Sequence, residues 1–185
     1  MLKNFVMRTF VAAEIRSDST LNAIARLQLD LKINARPVTK ENMHFTLLFL
    51  GEISDDMAQK VMGSLSSVLF NPIKVTLADV GAFPNPKFPR VVWIGVDKDA
   101  AKSLVDLAKQ VEEQLTPLGF RSDKPFKPHL TIFRIKNRID ISHELDRYKG
   151  VEIGQETISE LKFKKSILTP SGSVYSDLQV VKAGQ

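Results

Sequence analysis

The stretch MHFTLLFLG, residues 43–51, places a histidine at the head of an apolar run, and KPHLTIF, residues 127–133, repeats this arrangement. An apolar run of this length with β-branched and aromatic residues is typical of a strand. Residues i and i+2 of a strand point to the same face, so each stretch predicts an imidazole beside a hydroxyl. In both stretches the histidine stands two positions before a threonine: His44 and Thr46, then His129 and Thr131.

Chance does not easily account for two such pairs. The chain has three histidines and nine threonines in 185 residues, for which roughly 0.15 matches are expected. One pair alone would usually be a histidine that is hydrogen-bonded in the core. Two matched pairs favour a shared functional site. The remaining histidine, His143, lacks the pattern and is predicted to lie on the surface of a helix.

Length and composition predict one globular domain over residues 1–185, with 43% hydrophobic and 25% charged residues. The absence of cysteine excludes disulfides, zinc–thiolate sites, iron–sulfur clusters and a thiol nucleophile. The longest uncharged stretch, residues 61–73, is shorter than the roughly 20 residues of a membrane-spanning helix. Glu14 and Arg16 interrupt any apolar core of an N-terminal signal. We therefore expect no membrane partner and a cytoplasmic location.

The net charge of +5 and the pI of about 9.4 favour an anionic partner such as nucleic acid, although a solvated basic surface explains them equally well. The basic residues are concentrated around the second His-x-Thr pair and near the C-terminus. They are Arg121, Lys124, Lys127, Arg134, Lys136 and Arg138, followed by Lys162, Lys164 and Lys165.

Periodicity and turn residues predict a mixed chain of separate helices and mostly antiparallel strands, which indicates an α+β fold. GAFPNPKFPR, residues 81–90, contains three prolines and is predicted to be a loop; we favour a structural role for it over contact with a nucleotide. The predicted strands are 7–15, 44–50 (ended by Gly51), 75–80, 90–96, 129–135, 157–168 and 173–181, the last two joined by TPSGS. The predicted helices are 17–31, 54–68, a helix from Asp97, and a short one at 141–148.

Two imidazole–hydroxyl pairs suit in-line displacement at phosphorus. That reaction needs a base on the attacking water, an acid on the leaving oxygen, and donors on the non-bridging oxygens. A metal site is the rival use of histidine, but two histidines without cysteine, and without acidic residues at ligand spacing, make a poor set of ligands. We therefore expect neither a metal nor a cofactor.

Several blocks of the chain resemble the 2H phosphoesterase superfamily, which is named for two H-x-T/S-x motifs. Within it the chain is similar to the RNA 2′,3′-cyclic phosphodiesterases of the LigT/ThpR type, also called 2′-5′ RNA ligases. One departure is visible, because Arg36, Pro37 and Val38 stand where the family often carries an aromatic residue. The similar blocks, in the family's order, are MRTFVAAEI, ENMHFTLLFLGEI, VGAFPNPKFPRVVWIGV, KPFKPHLTIFRIK and LTPSGSVYSDLQV.

The resemblance implies a bilobal LigT-like fold, in which two pseudo-symmetric lobes with antiparallel sheets flank a central basic cleft and helices lie outside. It also implies that the natural chain starts near Met7 and that residues 1–6 are an extension.

The activity implied is metal-independent hydrolysis of a terminal 2′,3′-cyclic phosphate on RNA to a 2′-phosphomonoester, with 2′-5′ ligation as the reverse reaction. By this similarity His44 is the general acid and His129 the general base, while Thr46, Thr131 and Arg134 bind the phosphoryl group. The expected partner is RNA ending in a cyclic phosphate, tRNA fragments included, and the expected state is a monomer.

Two other functions remain open at this point. A 2H enzyme could act on a small cyclic nucleotide, an ADP-ribose cyclic phosphate or a 2′-5′ oligoadenylate, with the same chemistry in a different pocket. A non-catalytic RNA-binding module would explain the charge, but it would not need two imidazoles.

Overall fold

The computed structural model describes residues 6–170 and 172–184, and within them nine strands and four α-helices. The strands are β1 (Val6–Glu14), β2 (Arg36–Pro37), β3 (His44–Ser54), β4 (Ile73–Phe83), β5 (Val91–Val96), β6 (Leu130–Arg134), β7 (Glu152–Ile158), β8 (Glu160–Thr169) and β9 (Gly172–Lys182). The helices are α1 (Asp18–Asp30), α2 (Asp55–Leu65), α3 (Lys98–Leu115) and α4 (Ser142–Asp146).

The strands form two antiparallel sheets, which confirms the predicted α+β fold with two lobes. One sheet has the order β3-β1-β8-β9 and the other the order β2-β6-β5-β4-β7. The strand headed by His44 belongs to the first sheet, and the strand that follows His129 belongs to the second. Each sheet therefore contributes one His-x-Thr pair.

Side-chain caps fix the starts of the three long helices. Ser17, Ser54 and Asp97 each accept a hydrogen bond from a backbone N–H in the first turn, as N-cap residues do. Helix α3 buries an apolar stripe and contacts β3 of one sheet and β4 of the other. Helix α1 packs on β7, where the Thr20 hydroxyl donates to the carbonyl of Gln155. The helices thus link the two sheets.

The predicted hairpin near the C-terminus is confirmed in part. Strands β8 and β9 pair antiparallel, but the segment predicted as one strand, 157–168, is the end of β7 followed by β8. Strand β7 pairs instead with β4 in the other sheet, so the chain changes sheets at Ser159. The apolar pattern alone did not indicate this change of partner.

Strands β3 and β4 continue past their predicted ends. Strand β3 continues through Gly51, which has φ +74° and lies beside a shift in the register between β1 and β3. A glycine in a strand often marks such an irregularity rather than an end. Strand β4 extends to Phe83, so the first three residues of the predicted loop 81–90 pair with β5.

The proposed N-terminal extension, residues 1–6, lies mostly outside the described residues; Val6 itself pairs with Ser54 in the first sheet. No helix among residues 6–170 and 172–184 is both long and apolar enough to cross a membrane. The single domain over residues 1–185 stays a prediction.

Candidate active site

A cleft of about 540 Å³ lies between β3 of the first sheet and β6 of the second. It contains all five residues that the sequence singled out: His44, Thr46, His129, Thr131 and Arg134. His44 and Thr46 occupy alternate positions of β3, whereas His129 immediately precedes β6 and Thr131 lies within it. The fold therefore brings the two imidazole–hydroxyl pairs to one cavity.

His129 is held by its own backbone and by an aromatic ring. Its Nδ1 atom lies 2.6 Å from the carbonyl oxygen of Lys127. A carbonyl only accepts, so Nδ1 carries the proton and Nε2 is left to accept one in the neutral ring. Phe83 lies edge-on to the imidazole, with ring centroids 5.1 Å apart, and itself packs on Trp93. The ring of His129 is thus fixed in one tautomer.

His44 has a matching backbone contact, because its ring hydrogen-bonds to the backbone of Asn42, also two residues upstream. Phe10 and Tyr175 contact the imidazole, with centroid distances of 5.1 and 5.4 Å. Burial against these rings lowers the pKa of His44 to about 4, although the Asn42 bond and Glu14 oppose the shift. The neutral form of His44 is therefore favoured in the free protein at neutral pH.

A cluster of four charges lies on the same sheet as His44. The Nζ atom of Lys162 lies 2.5 Å from Glu14 and 2.8 Å from Asp177, and Lys164 bridges the same two carboxylates. Burial raises the pKa values of Glu14 and Asp177, but the hydrogen bonds and charges of the two lysines outweigh it and lower both. The cluster is neutral overall, so these lysines add little to the basic surface that the sequence indicated near the C-terminus.

Cations dominate the open part of the cleft. Arg36, Arg134 and Lys136 line it, with Glu41 as the only acidic residue of the described lining. Arg36 of β2 lies directly opposite Arg134 of β6 in the sheet register. Like charges opposite each other on neighbouring strands are destabilising, so this pair indicates a place for an anion. Arg36 thus gives this part of the cleft a second cation.

The described residues contain no group of three or more His, Asp or Glu side chains that could hold a metal ion. His143, by contrast with the other two histidines, lies exposed on α4 as predicted.

Sequence reasoning missed several residues of the site. Three aromatic residues that contact the histidines, Phe10, Phe83 and Tyr175, come from distant strands, and nothing in their local sequence marks them. The charge cluster had a weak signal in the alternation Lys162–Phe163–Lys164, which places both lysines on one face of a strand. Their acidic partners could be found only from the pairing of β1, β8 and β9.

Comparisons with known proteins show which family the chain resembles. The family model described as LigT like Phosphoesterase matches residues 15–93 and 94–175. A protein of Archaeoglobus fulgidus named RNA 2′,3′-cyclic phosphodiesterase is 41% identical over 177 residues, which is 94% of this chain and 99% of that protein. A protein of the same name from Methanocaldococcus jannaschii is 35% identical over 173 residues, 91% of this chain and 96% of that one.

Solved structures show the same fold. Escherichia coli LigT complexed with 3′-AMP superimposes with a TM-score of 0.81 at 24% identity. The match covers 98% of this chain and 100% of that one. The protein TT0787 of Thermus thermophilus gives a TM-score of 0.79 at 27% identity, covering 95% of this chain and 97% of that one. With its two His-x-Thr pairs in one cleft, this chain belongs to the LigT-like phosphoesterase family.

Proposed function

We propose that this protein is an RNA 2′,3′-cyclic phosphodiesterase, which hydrolyses a terminal cyclic phosphate to a 2′-phosphomonoester. The observation that carries the proposal is the convergence of His44, Thr46, His129 and Thr131 on one cleft beside the opposed pair Arg36 and Arg134. The relatives that bear this name are 41% and 35% identical over more than nine-tenths of the chain.

In the proposed reaction water attacks the phosphorus atom as the bond from phosphorus to the 3′ oxygen breaks. His129 accepts a proton from the water, and its Nε2 atom is available because Nδ1 bonds to the carbonyl of Lys127. His44 donates a proton to the departing 3′ oxygen. The products are a 2′-phosphate and a free 3′-hydroxyl, and each histidine ends in the protonation state in which the other began.

The remaining cleft residues hold the phosphoryl group. The hydroxyls of Thr46 and Thr131 are suited to donate to non-bridging oxygens, and the guanidinium of Arg134 to bind them through charge-assisted hydrogen bonds. Donors aimed at the developing charge stabilise the transition state more than the ground state. The scheme needs no metal ion.

The acid role of His44 requires a change on binding. A group with a pKa of about 4 is mostly neutral in the free protein at neutral pH. An opposite charge within about 4–6 Å favours the charged form of a histidine, so the bound phosphate should raise this pKa. Substrate binding would then favour the protonated form of His44, which donates its proton to the leaving oxygen.

The test uses an oligoribonucleotide that ends in a 2′,3′-cyclic phosphate, incubated with the protein in EDTA. The product is compared by chromatography with authentic 2′- and 3′-phosphate ends. A 2′-phosphate product supports the proposal. An unchanged substrate, or a 3′-phosphate product, contradicts it. The reverse 2′-5′ ligation, tRNA fragments as substrates, a monomeric state and a cytoplasmic location stay predictions.

A further inference from the structure

A second cavity, of about 360 Å³, lies next to the catalytic cleft. Consecutive residues line the two cavities, since Lys136 faces the cleft and Asn137 faces the second cavity. The Nη1 atom of Arg90 also donates to the carbonyl of Lys136 at 3.0 Å. The two sites are therefore joined through one peptide unit. The second cavity, here called the Phe88 patch, is lined by Phe88, Pro89, Arg90, Asn137 and Arg138.

The Phe88 patch carries an exposed aromatic ring next to a cation. Phe88 is 48% exposed, and the guanidinium carbon of Arg138 lies 4.5 Å from the centre of its ring. Aromatic rings and guanidinium planes are the surfaces on which proteins stack unpaired nucleobases. An arginine beside the ring can also bind a phosphate of the same strand. This pairing suits single-stranded RNA better than an uncharged ligand.

Positive charge continues from the cleft to the Phe88 patch. Arg134, Lys136 and Arg138 occur at every second position along the chain, and all three are exposed. The carboxylate of Asp140 accepts hydrogen bonds from Ser142 and interacts with Lys87. The three cations give a backbone of phosphates a continuous path out of the cleft.

The loop that presents Phe88 is ordered by its own hydrogen bonds. The side chain of Asn85 accepts from the backbone N–H groups of Lys87 and Phe88 at 3.0 and 3.1 Å. The carbonyl of Pro86 accepts from Ile141, and the carbonyl of Phe83 from Arg90. The backbone that carries the aromatic ring is thus ordered before any ligand binds, which lowers the entropic cost of binding.

From these contacts we propose that the Phe88 patch binds the nucleotides that precede the cyclic-phosphate end of the RNA. The loop 81–90 would then contact a nucleotide, which is the role that the sequence did not favour. The inference rests on the proposed function, because that function places the terminal nucleotide in the cleft. The chain 5′ of that nucleotide leaves the cleft past Lys136, places a phosphate on Arg138 and stacks a base at Phe88. The protein then distinguishes an RNA end from a free cyclic mononucleotide.

The experiment measures kcat and KM for adenosine 2′,3′-cyclic phosphate and for oligoribonucleotides of increasing length with the same cyclic end. The variants are Phe88→Ala and Arg138→Gln. Arg147→Gln is the matched control, because Arg147 also lies over an aromatic ring, that of Tyr148, but lines neither cavity. Neither Phe88 nor Arg138 belongs to the catalytic cleft lining, so activity on the mononucleotide should persist.

We expect wild-type KM to fall as the RNA lengthens. Phe88→Ala should raise KM for the longer RNA by about tenfold, the order expected for one lost stacking contact. Arg138→Gln should raise it too and reduce its salt dependence. The mononucleotide values and the Arg147→Gln variant should match the wild type.

Three results would overturn the inference. The first is a wild-type KM that does not depend on RNA length, and the second is oligonucleotide kinetics that are unchanged in both variants. The third is an equal loss of activity on the mononucleotide and on the RNA, which would mean that the loop acts through Phe83 on His129. If the wild type hydrolyses neither substrate, the proposed function itself fails, which is a distinct outcome.

Discussion

The Nδ1 atom of His129 donates a hydrogen bond to the carbonyl of Lys127, two residues upstream, at 2.6 Å. The ring of His44 bonds to the backbone of Asn42, also two residues upstream. The two catalytic candidates are therefore oriented by the same kind of local contact, one at the start of β3 and the other immediately before β6. A fixed tautomer spares the reaction a reorientation of either ring, which is one of the ways in which active sites are preorganised.

The pKa of His44 should respond to ligand. NMR titration of the imidazole signals should give a pKa of about 4 for His44 in the free protein, because burial against Phe10 and Tyr175 disfavours the charged ring. Addition of a nucleoside 2′-phosphate, the proposed product, should raise this pKa. A value that stays the same in the saturated complex would argue against His44 as the acid.

Stability should depend on pH through the same residue. The folded pKa of about 4 lies below the ordinary value of 6.5, so the unfolded chain binds more protons at His44 between these values. The free energy of unfolding should therefore fall as pH decreases from about 6.5 to 4, by ~3 kcal/mol at most from this group.

Urea unfolding at several pH values tests this dependence. His44→Gln should weaken it, whereas His143→Gln, a change at an exposed helix residue, should leave it as in the wild type. Identical pH profiles for wild type and His44→Gln would contradict the expectation.

Loss of a buried lysine of the charge cluster should lower the free energy of unfolding more than loss of an exposed lysine. Lys164→Met leaves Glu14 and Asp177 with Lys162 as their remaining partner within the cluster, and Lys164 is only 4% exposed. Removal of one member of a partly buried charge network should lower the free energy of unfolding by about 2 kcal/mol, as measured by urea unfolding. Lys149→Met, which breaks the exposed pair with Asp146, should cost less than about 0.5 kcal/mol. Equal effects of the two variants would mean that the cluster does not stabilise the sheet.

The sequence predicted which residues share the cleft better than it predicted the order of the strands. The four residues His44, Thr46, His129 and Thr131 could be predicted because each pair lies in or at the start of one strand, where a spacing of two residues places side chains on the same face. The strand predicted over residues 157–168 joined the last two residues of β7 to β8, and it is the pairing of β7 with β4 that separates the two strands. The rings of Phe10 and Tyr175 reach His44 from β1 and β9, a relationship set by sheet order rather than by local sequence.

Arg134 should bind phosphate. Arg134→Ala should weaken the binding of cyclic-phosphate RNA and flatten its dependence on salt, because one phosphate contact fewer releases fewer counterions. Titrations at several ionic strengths measure both effects. Arg147→Ala, a change outside the cleft, controls for loss of net charge alone. A salt dependence that is the same in Arg134→Ala as in the wild type would remove Arg134 from the phosphate site.

The central claim is that two histidines, without a metal ion, open the cyclic phosphate. Its most direct test is the turnover of a cyclic-phosphate oligoribonucleotide in EDTA by wild type, His44→Ala, His129→Ala, the double variant and His143→Ala. Each of the first two changes should reduce kcat by about 10²–10⁴-fold, since general acid and general base each contribute on this order. The double variant should be little worse than the poorer single one, because both groups act on one transition state, and His143→Ala should match the wild type. Full turnover in either single variant, or activity that EDTA abolishes and one metal ion restores, would contradict the mechanism.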